Sequence, residues 1–149
     1  MQGYNSSEEK KNIDQARLVT DQGIAKVLKE RASVVTINGC DGFYLTNTRI
    51  YGFKKLQGRR IANLVIPQNT LLFYRREYGK KIRASTAYVH SIWDPYNKKF
   101  TSEGVSLHTQ FFTYEVGKWV TPTAGFDHKP LDCTSGIHFF FGLKEALEY

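Results

Sequence analysis

The stretch Ser33-Val34-Val35-Thr36-Ile37-Asn38-Gly39-Cys40-Asp41-Gly42-Phe43-Tyr44-Leu45 decides the fold. Its two ends are rich in β-branched and aromatic side chains, which fit the pleated surface of a strand. Asn38-Gly39 and Asp41-Gly42 between them tolerate positive φ, so the segment reads as a tight antiparallel hairpin.

Strand signals continue downstream. Arg49-Ile50-Tyr51-Gly52-Phe53 and Ile61-Ala62-Asn63-Leu64-Val65-Ile66 read as strands, the second stopped by Pro67. Residues 70–74 are a further candidate. Residues 82–92 alternate in part, with Ala84, Thr86, Tyr88 and His90 on one face and Ile82, Ala87, Val89 and Ile92 spread over the other. Asp94-Pro95-Tyr96-Asn97-Lys98-Lys99 is a turn, and Glu115-Val116-Gly117-Lys118 is a second, dividing short strands at 111–114 and 119–120. Ile137-His138-Phe139-Phe140-Phe141 is continuously apolar apart from its histidine, which predicts an interior strand. Gly142 ends it, and residues 143–149 form a short closing helix.

Upstream, residues 20–31 predict a helix capped by Thr20 or Asp21, with Ile24, Val27 and Leu28 on one face. Gly23 weakens it. Ser6 and Glu9 have the spacing of a capping box. The fold class expected is therefore α+β: predominantly antiparallel β-sheet, with an N-terminal helix and a short C-terminal helix. The main sheet is expected from residues 33–141. One domain fills residues 1–149, with 1–32 as a helical arm and 33–149 as the β-rich core.

Composition bounds the function. The 149 residues are 41% hydrophobic and 23% charged, an ordinary globular balance for a chain that can bury a core without staples. Aromatics reach 14%, with 9 Tyr and 10 Phe, and supply both core volume and flat faces for stacking. The net charge of +7 favours encounters with phosphates and acidic surfaces. Cys40 and Cys133 lie outside any paired-cysteine spacing and read as reduced thiols. No apolar run approaches membrane-spanning length, and Gln2-Gly3-Tyr4-Asn5-Ser6-Ser7 is too polar for a secretion signal. A cytoplasmic protein without a membrane partner is expected.

Signatures of catalysis are missing. There is no GxGxxG, no GxxxxGK[ST] and no HExxH. His108, Asp127, His128 and Cys133 carry metal-ligating atoms at a spacing that matches no zinc motif, so no metal is assigned. Ser106-Leu107-His108 and Asp127 contain the letters of a triad, but geometry defines a triad. Ser135 sits in a turn-like Cys133-Thr134-Ser135-Gly136 rather than a nucleophile elbow. The expectation is a binding protein, not an enzyme, with no cofactor.

Basic and aromatic residues interleave. Lys54-Lys55, Arg59-Arg60, Arg75-Arg76 and Lys80-Lys81-Ile82-Arg83 lie beside Tyr51, Phe53, Phe73, Tyr74 and Tyr78. Cations meet phosphates and ring faces meet bases, so this mixture suits a nucleotide. The ligand-binding residues expected are Tyr51, Lys54, Lys55, Lys81, Arg83, His108 and Tyr114. Arg83 leads, because a guanidinium grips a phosphate with two parallel bonds.

Tyr51-Gly52-Phe53-Lys54-Lys55, Ile61 through Pro67 and Lys80-Lys81-Ile82-Arg83-Ala84-Ser85 together resemble a phage and large-DNA-virus domain of unknown function, one that often follows pentapeptide repeats. Ser106-Leu107-His108, Phe112, Tyr114, Gly117, Val120, Phe126-Asp127, Cys133, Glu145-Ala146 and the closing Gly136-Ile137-His138-Phe139-Phe140 extend the resemblance over roughly residues 50–149. The departures are Lys129, where that domain usually carries arginine, Ile82 in place of a cysteine, and the absence of a pentapeptide array. A basic, non-enzymatic phage protein of this size also resembles the viral sponges that sequester nucleotide signals of antiphage defence. That resemblance implies capture of a cyclic dinucleotide, within an infected bacterium, by a homodimer or higher homo-oligomer. The alternatives are a nucleic-acid-binding accessory protein and a protein-interaction or capping domain.

Overall fold

The computed structural model describes residues 19–107, 112–131 and 134–149. Helix α1, Asp21–Arg31, begins where the capping chemistry requires: the Thr20 hydroxyl oxygen accepts a hydrogen bond from the Gly23 amide at 3.0 Å. Asp21 in its first turn and Lys29 and Arg31 in its last complement the helix dipole. Ile24 and Leu28 face inward.

The hairpin follows as predicted. Strands β1 (Ala32–Ile37) and β2 (Cys40–Thr46) are antiparallel, with Ile37 opposite Cys40. Asn38 and Gly39 between them adopt φ of 51° and 76°, the two positive values that this turn demands. Then come β3 (Ile50–Lys55), β4 (Ile61–Ile66) and β5 (Leu71–Phe73). A single 3-10 turn at Arg76–Tyr78 precedes β6 (Ile82–Ala84) and β7 (Ala87–Trp93). The remaining strands are β8 (Phe100–Thr101), β9 (Glu103–Val105), β10 (Thr113–Glu115), β11 (Trp119–Val120) and β12 (Ile137–Phe139). Helix α2, Leu143–Glu148, closes the order.

The single main sheet expected from the sequence is instead two. One has the order β1-β2-β5-β6-β12; the other runs β11-β7-β4-β3, with β8 pairing the far end of β7. A separate hairpin joins β9 to β10. Residues 82–92 are where the sequence reading breaks down. β6 belongs to the first sheet and β7 to the second, so the chain changes sheets at Ser85-Thr86. Both residues are tied down there. The Ser85 hydroxyl accepts from the Leu71 amide at 3.1 Å, and the Thr86 hydroxyl donates to the Val120 carbonyl at 3.0 Å.

β12 is the last strand of its sheet, not a central one. Its apolar run is nonetheless buried, because Phe140 bridges to Phe53 of β3 and joins the second sheet. Backbone hydrogen bonds of 2.8 Å run both ways between those two residues. The close approach requires Gly52: a Cβ there would meet the Phe139 ring at 2.3 Å. One core, including Leu28, Ile50, Leu64, Leu72, Ile82, Val89 and Phe139, takes residues from α1 and both sheets. A smaller cluster of Ile61, Trp93, Phe140 and Ala146, flanked by Phe53, Leu143 and Leu147, lies where α2 covers part of the second sheet's other face. The capping box expected at Ser6 and Glu9 lies outside the described residues.

Candidate functional site

Strand alternation separates the first group of expected ligand residues. On β3, Ile50, Gly52 and Lys54 face one way, and Tyr51, Phe53 and Lys55 the other. Lys54 points toward a cavity of about 480 Å³ that Lys81, Ser106, Phe112, Tyr114, His138 and Tyr149 also line. Three of the seven expected residues, Lys54, Lys81 and Tyr114, thus converge, although they come from β3, the position just before β6, and β10. The loops at 122–124 and 134–136 complete the wall.

Each ammonium has a ring partner. Lys54 Nζ lies 5.6 Å from the centroid of Tyr114, and Lys81 Nζ lies 5.5 Å from that of Tyr149. Lys54 also donates to the His138 carbonyl at 2.9 Å, and Lys81 to the Tyr149 hydroxyl at 3.5 Å. Phe112 and Tyr114 pack ring to ring at 5.2 Å, which holds the Tyr114 face in place. Enclosure removes water from Lys54, and the Lys81 charge opposes a second positive charge nearby. Together they lower the Lys54 amine from 10.5 to about 8. Burial pushes the Tyr114 hydroxyl well above its ordinary value, so it stays a neutral phenol. The cavity therefore holds two amines beside two aromatic rings, with the hydroxyls of Ser106, Thr123, Thr134 and Ser135 around them.

Arg83 does not face a ligand, and the expectation that it grips a phosphate is corrected. Its side chain is only 1% exposed. Nε donates to the Leu131 carbonyl at 2.9 Å, Nη1 to those of Asp127 and Ser135 at 2.7 and 3.0 Å, and Nη2 to that of Lys129 at 2.8 Å. The guanidinium lies 4.9 Å from the Phe73 centroid and 4.5 Å from the Phe126 centroid. It is the hub that shapes the loop ending at Ser135, part of the cavity wall. Gly136 is needed beside it, since a Cβ would come within 2.8 Å of the Arg83 stem. The same loop is fastened by Asp127, which accepts from the Thr134 hydroxyl and the Lys129 amide. These bonds hold its carboxyl below the usual carboxylate range.

Two other assignments also change. Lys55 donates to the Leu147 carbonyl at 3.0 Å and so ties down the end of α2, away from the cavity. Tyr51 is on the open face of the second sheet, beside a different depression. His108 lies outside the described residues, as does Cys133. The other basic pairs scatter: Arg75 pairs with Asp41 at 2.8 Å, Arg76 with Asp21 at 3.4 Å and Arg59 with Asp94 at 3.4 Å. Among the described residues, no group of three or more His, Cys, Asp or Glu side chains is placed to hold a metal ion. Likewise no helix among them is long and apolar enough to cross a membrane.

Sequence reasoning missed Tyr149, Phe112 and His138 as cavity residues. Alternation along β12 offered a signal for the last, since His138 is half-buried between buried Ile137 and Phe139. No curated protein and no solved structure matches the chain. A family of unknown function, DUF5758, does match it over residues 35–146, a span that includes both sheets apart from the first half of β1, the Lys54–Tyr114 pair, Lys81 and the Arg83 hub. The chain belongs to the DUF5758 family.

Proposed function

We propose that this protein is a non-enzymatic binding protein that captures a small nucleotide in the Lys54–Lys81 cavity, a cyclic dinucleotide being the ligand class it suits best. The observation that carries this reading is the pairing of two ammonium groups with two tyrosine rings around one cavity. A cyclic dinucleotide carries two phosphodiesters and two bases, and each cation–ring pair suits one phosphate with its base. The volume falls within the roughly 300–1,000 Å³ of small-molecule sites. In this reading the protein is viral, works as a sponge in the cytoplasm of an infected bacterium, and blunts a nucleotide-based antiphage signal. The assembly expected is a homodimer or higher homo-oligomer, each protomer offering one such cavity.

Thermal-shift measurements against a panel of cyclic dinucleotides, cyclic oligonucleotides and mononucleotides test the reading. A ligand at 100-fold its Kd adds about 2.7 kcal/mol of stability to the parent. Lys81→Ala and Lys54→Met should each lose that shift. Bound nucleotide released by denaturation should return intact. A panel without any shift, or recovery of cleaved product, overturns the proposal.

A further inference from the structure

The outer face of the second sheet is divided. Helix α2 and Phe140 cover the part near Phe53, Ile61 and Trp93, while the other part is open. On the open part, one row of cross-strand partners runs the full width of the sheet. Tyr51 stands opposite Val65, Val65 opposite Tyr88, and Tyr88 opposite Trp119. Three of these four are aromatic. Trp119 is 62% exposed and Tyr51 59%, far more than rings kept for packing. Tyr88 and Trp119 meet edge to face at 5.2 Å, which fixes their orientation. Four strands at about 4.8 Å spacing set the ends of the row about 14 Å apart.

The surroundings are cationic. Arg31 and Arg49 line the depression beside Tyr51, and the Arg31 guanidinium is steadied by donating to the Arg49 carbonyl at 3.0 Å. His90 sits beside Tyr88, at the bulge where β4 and β7 slip register. Among the described residues no carboxylate lines the depression, and Val65 and Pro67 are the only aliphatic or prolyl ones that do. Tyr, Trp and Arg also gather at protein interfaces; what points to a polyanion here is the charge, two arginines and a histidine with no carboxylate among the described lining residues. Sheet-borne aromatic side chains of this kind stack two or three unpaired bases, while arginines meet the backbone.

We infer that the Tyr51–Val65–Tyr88–Trp119 row, edged by Arg31 and Arg49, is a binding platform for single-stranded nucleic acid. It is separate from the Lys54–Lys81 cavity, because Tyr51 and Lys54 project from opposite faces of β3. Stacking on Trp119 and Tyr51 would supply affinity without base specificity, and the length of the row allows two to three nucleotides.

Trp119 provides the readout, since the only other tryptophan, Trp93, is buried. The full chain is titrated with an eight-nucleotide single-stranded RNA, the same sequence as DNA, and its duplex. Quenching of Trp119 by the single strands, with weaker binding as salt rises, is expected. Trp119→Phe and Tyr51→Ala should keep the parent's circular dichroism and melting temperature. By fluorescence polarisation of labelled strand, Tyr51→Ala and Trp119→Ala should each weaken binding roughly five- to 150-fold, and Arg49→Ala should flatten the salt dependence. Equal binding of duplex and single strand would overturn the proposal, as would variants that bind like the parent. So would a parent dimer that Trp119→Ala dissociates while no oligonucleotide quenches Trp119, because the platform would then be the seat of a second copy.

Discussion

Replacing Lys54 by methionine should change how stability depends on pH, and the change has a definite sign. The amine titrates near 8 in the folded protein and at 10.5 when unfolded, a gap worth about 3 kcal/mol. Below pH 8 both states hold the proton, and the folded state bears the full cost of enclosing the charge. Between pH 8 and 10.5 the unfolded chain holds more protons than the folded one, so stability rises with pH through that window. Lys54 is half-buried and lines an open cavity, so solvent screening trims this figure and about 3 kcal/mol is its upper bound. Methionine keeps the packing of the stem and cannot titrate. It does leave the His138 carbonyl without its Lys54 donor, which costs about 1–3 kcal/mol, but that loss is the same at every pH.

The assay is urea unfolding of both proteins at intervals from about pH 7 to 10.5. Every other titrating group is common to the pair, so the difference between the curves reports Lys54 together with its coupling to Lys81. The parent should gain on Lys54→Met by up to about 3 kcal/mol across the window. Parallel curves would show that Lys54 is as well solvated as a surface lysine. A parent that loses ground with rising pH would show that its charged form is stabilised by a partner, and the reasoning about the cavity would fail in either case.

Arg83→Met should destabilise the fold by about 3–5 kcal/mol, because it strands four carbonyls that the guanidinium now satisfies; Arg83→Lys should not rescue it, since one ammonium cannot reproduce the planar fork, and urea unfolding reads both. Gly52→Ala should cost about 1–3 kcal/mol, seen as a lowered melting temperature, because its methyl would press the Phe139 ring. Thr20→Ala removes the cap on α1 and should cost about 1 kcal/mol by the same measurement. Anion binding in the cavity should lift Lys54 toward its ordinary value, so nucleotide capture at pH 8.5 should take up protons; calorimetry in two buffers of different ionisation enthalpy detects this as a buffer-dependent heat.

Local signals carried the parts of the fold that are local. Thr20, the Ile24–Leu28 face, Asn38-Gly39 and Pro67 each act within a few residues, and each element stands where such chemistry put it. The division into two sheets depends on partners far along the chain. Ile82 through Ile92 has strand character throughout, and the chain changes sheets within it because β6 finds its partners in β5 and β12 and β7 finds its own in β4 and β11. Period-two alternation along β3 already separates Lys54 from Tyr51 and Lys55, so that part of the candidate site is legible in the sequence. Arg83 is a different case. A guanidinium that binds phosphate and one that gathers four backbone carbonyls are the same letter in the sequence. The choice between them is made by a loop some 44–52 residues away that folds its carbonyls inward. The Phe73 and Phe126 rings pack against the guanidinium as well, so the charge is spent on shaping the cavity wall. Lys54 and Lys81 line the cavity itself, and the proposed capture of a nucleotide rests on them.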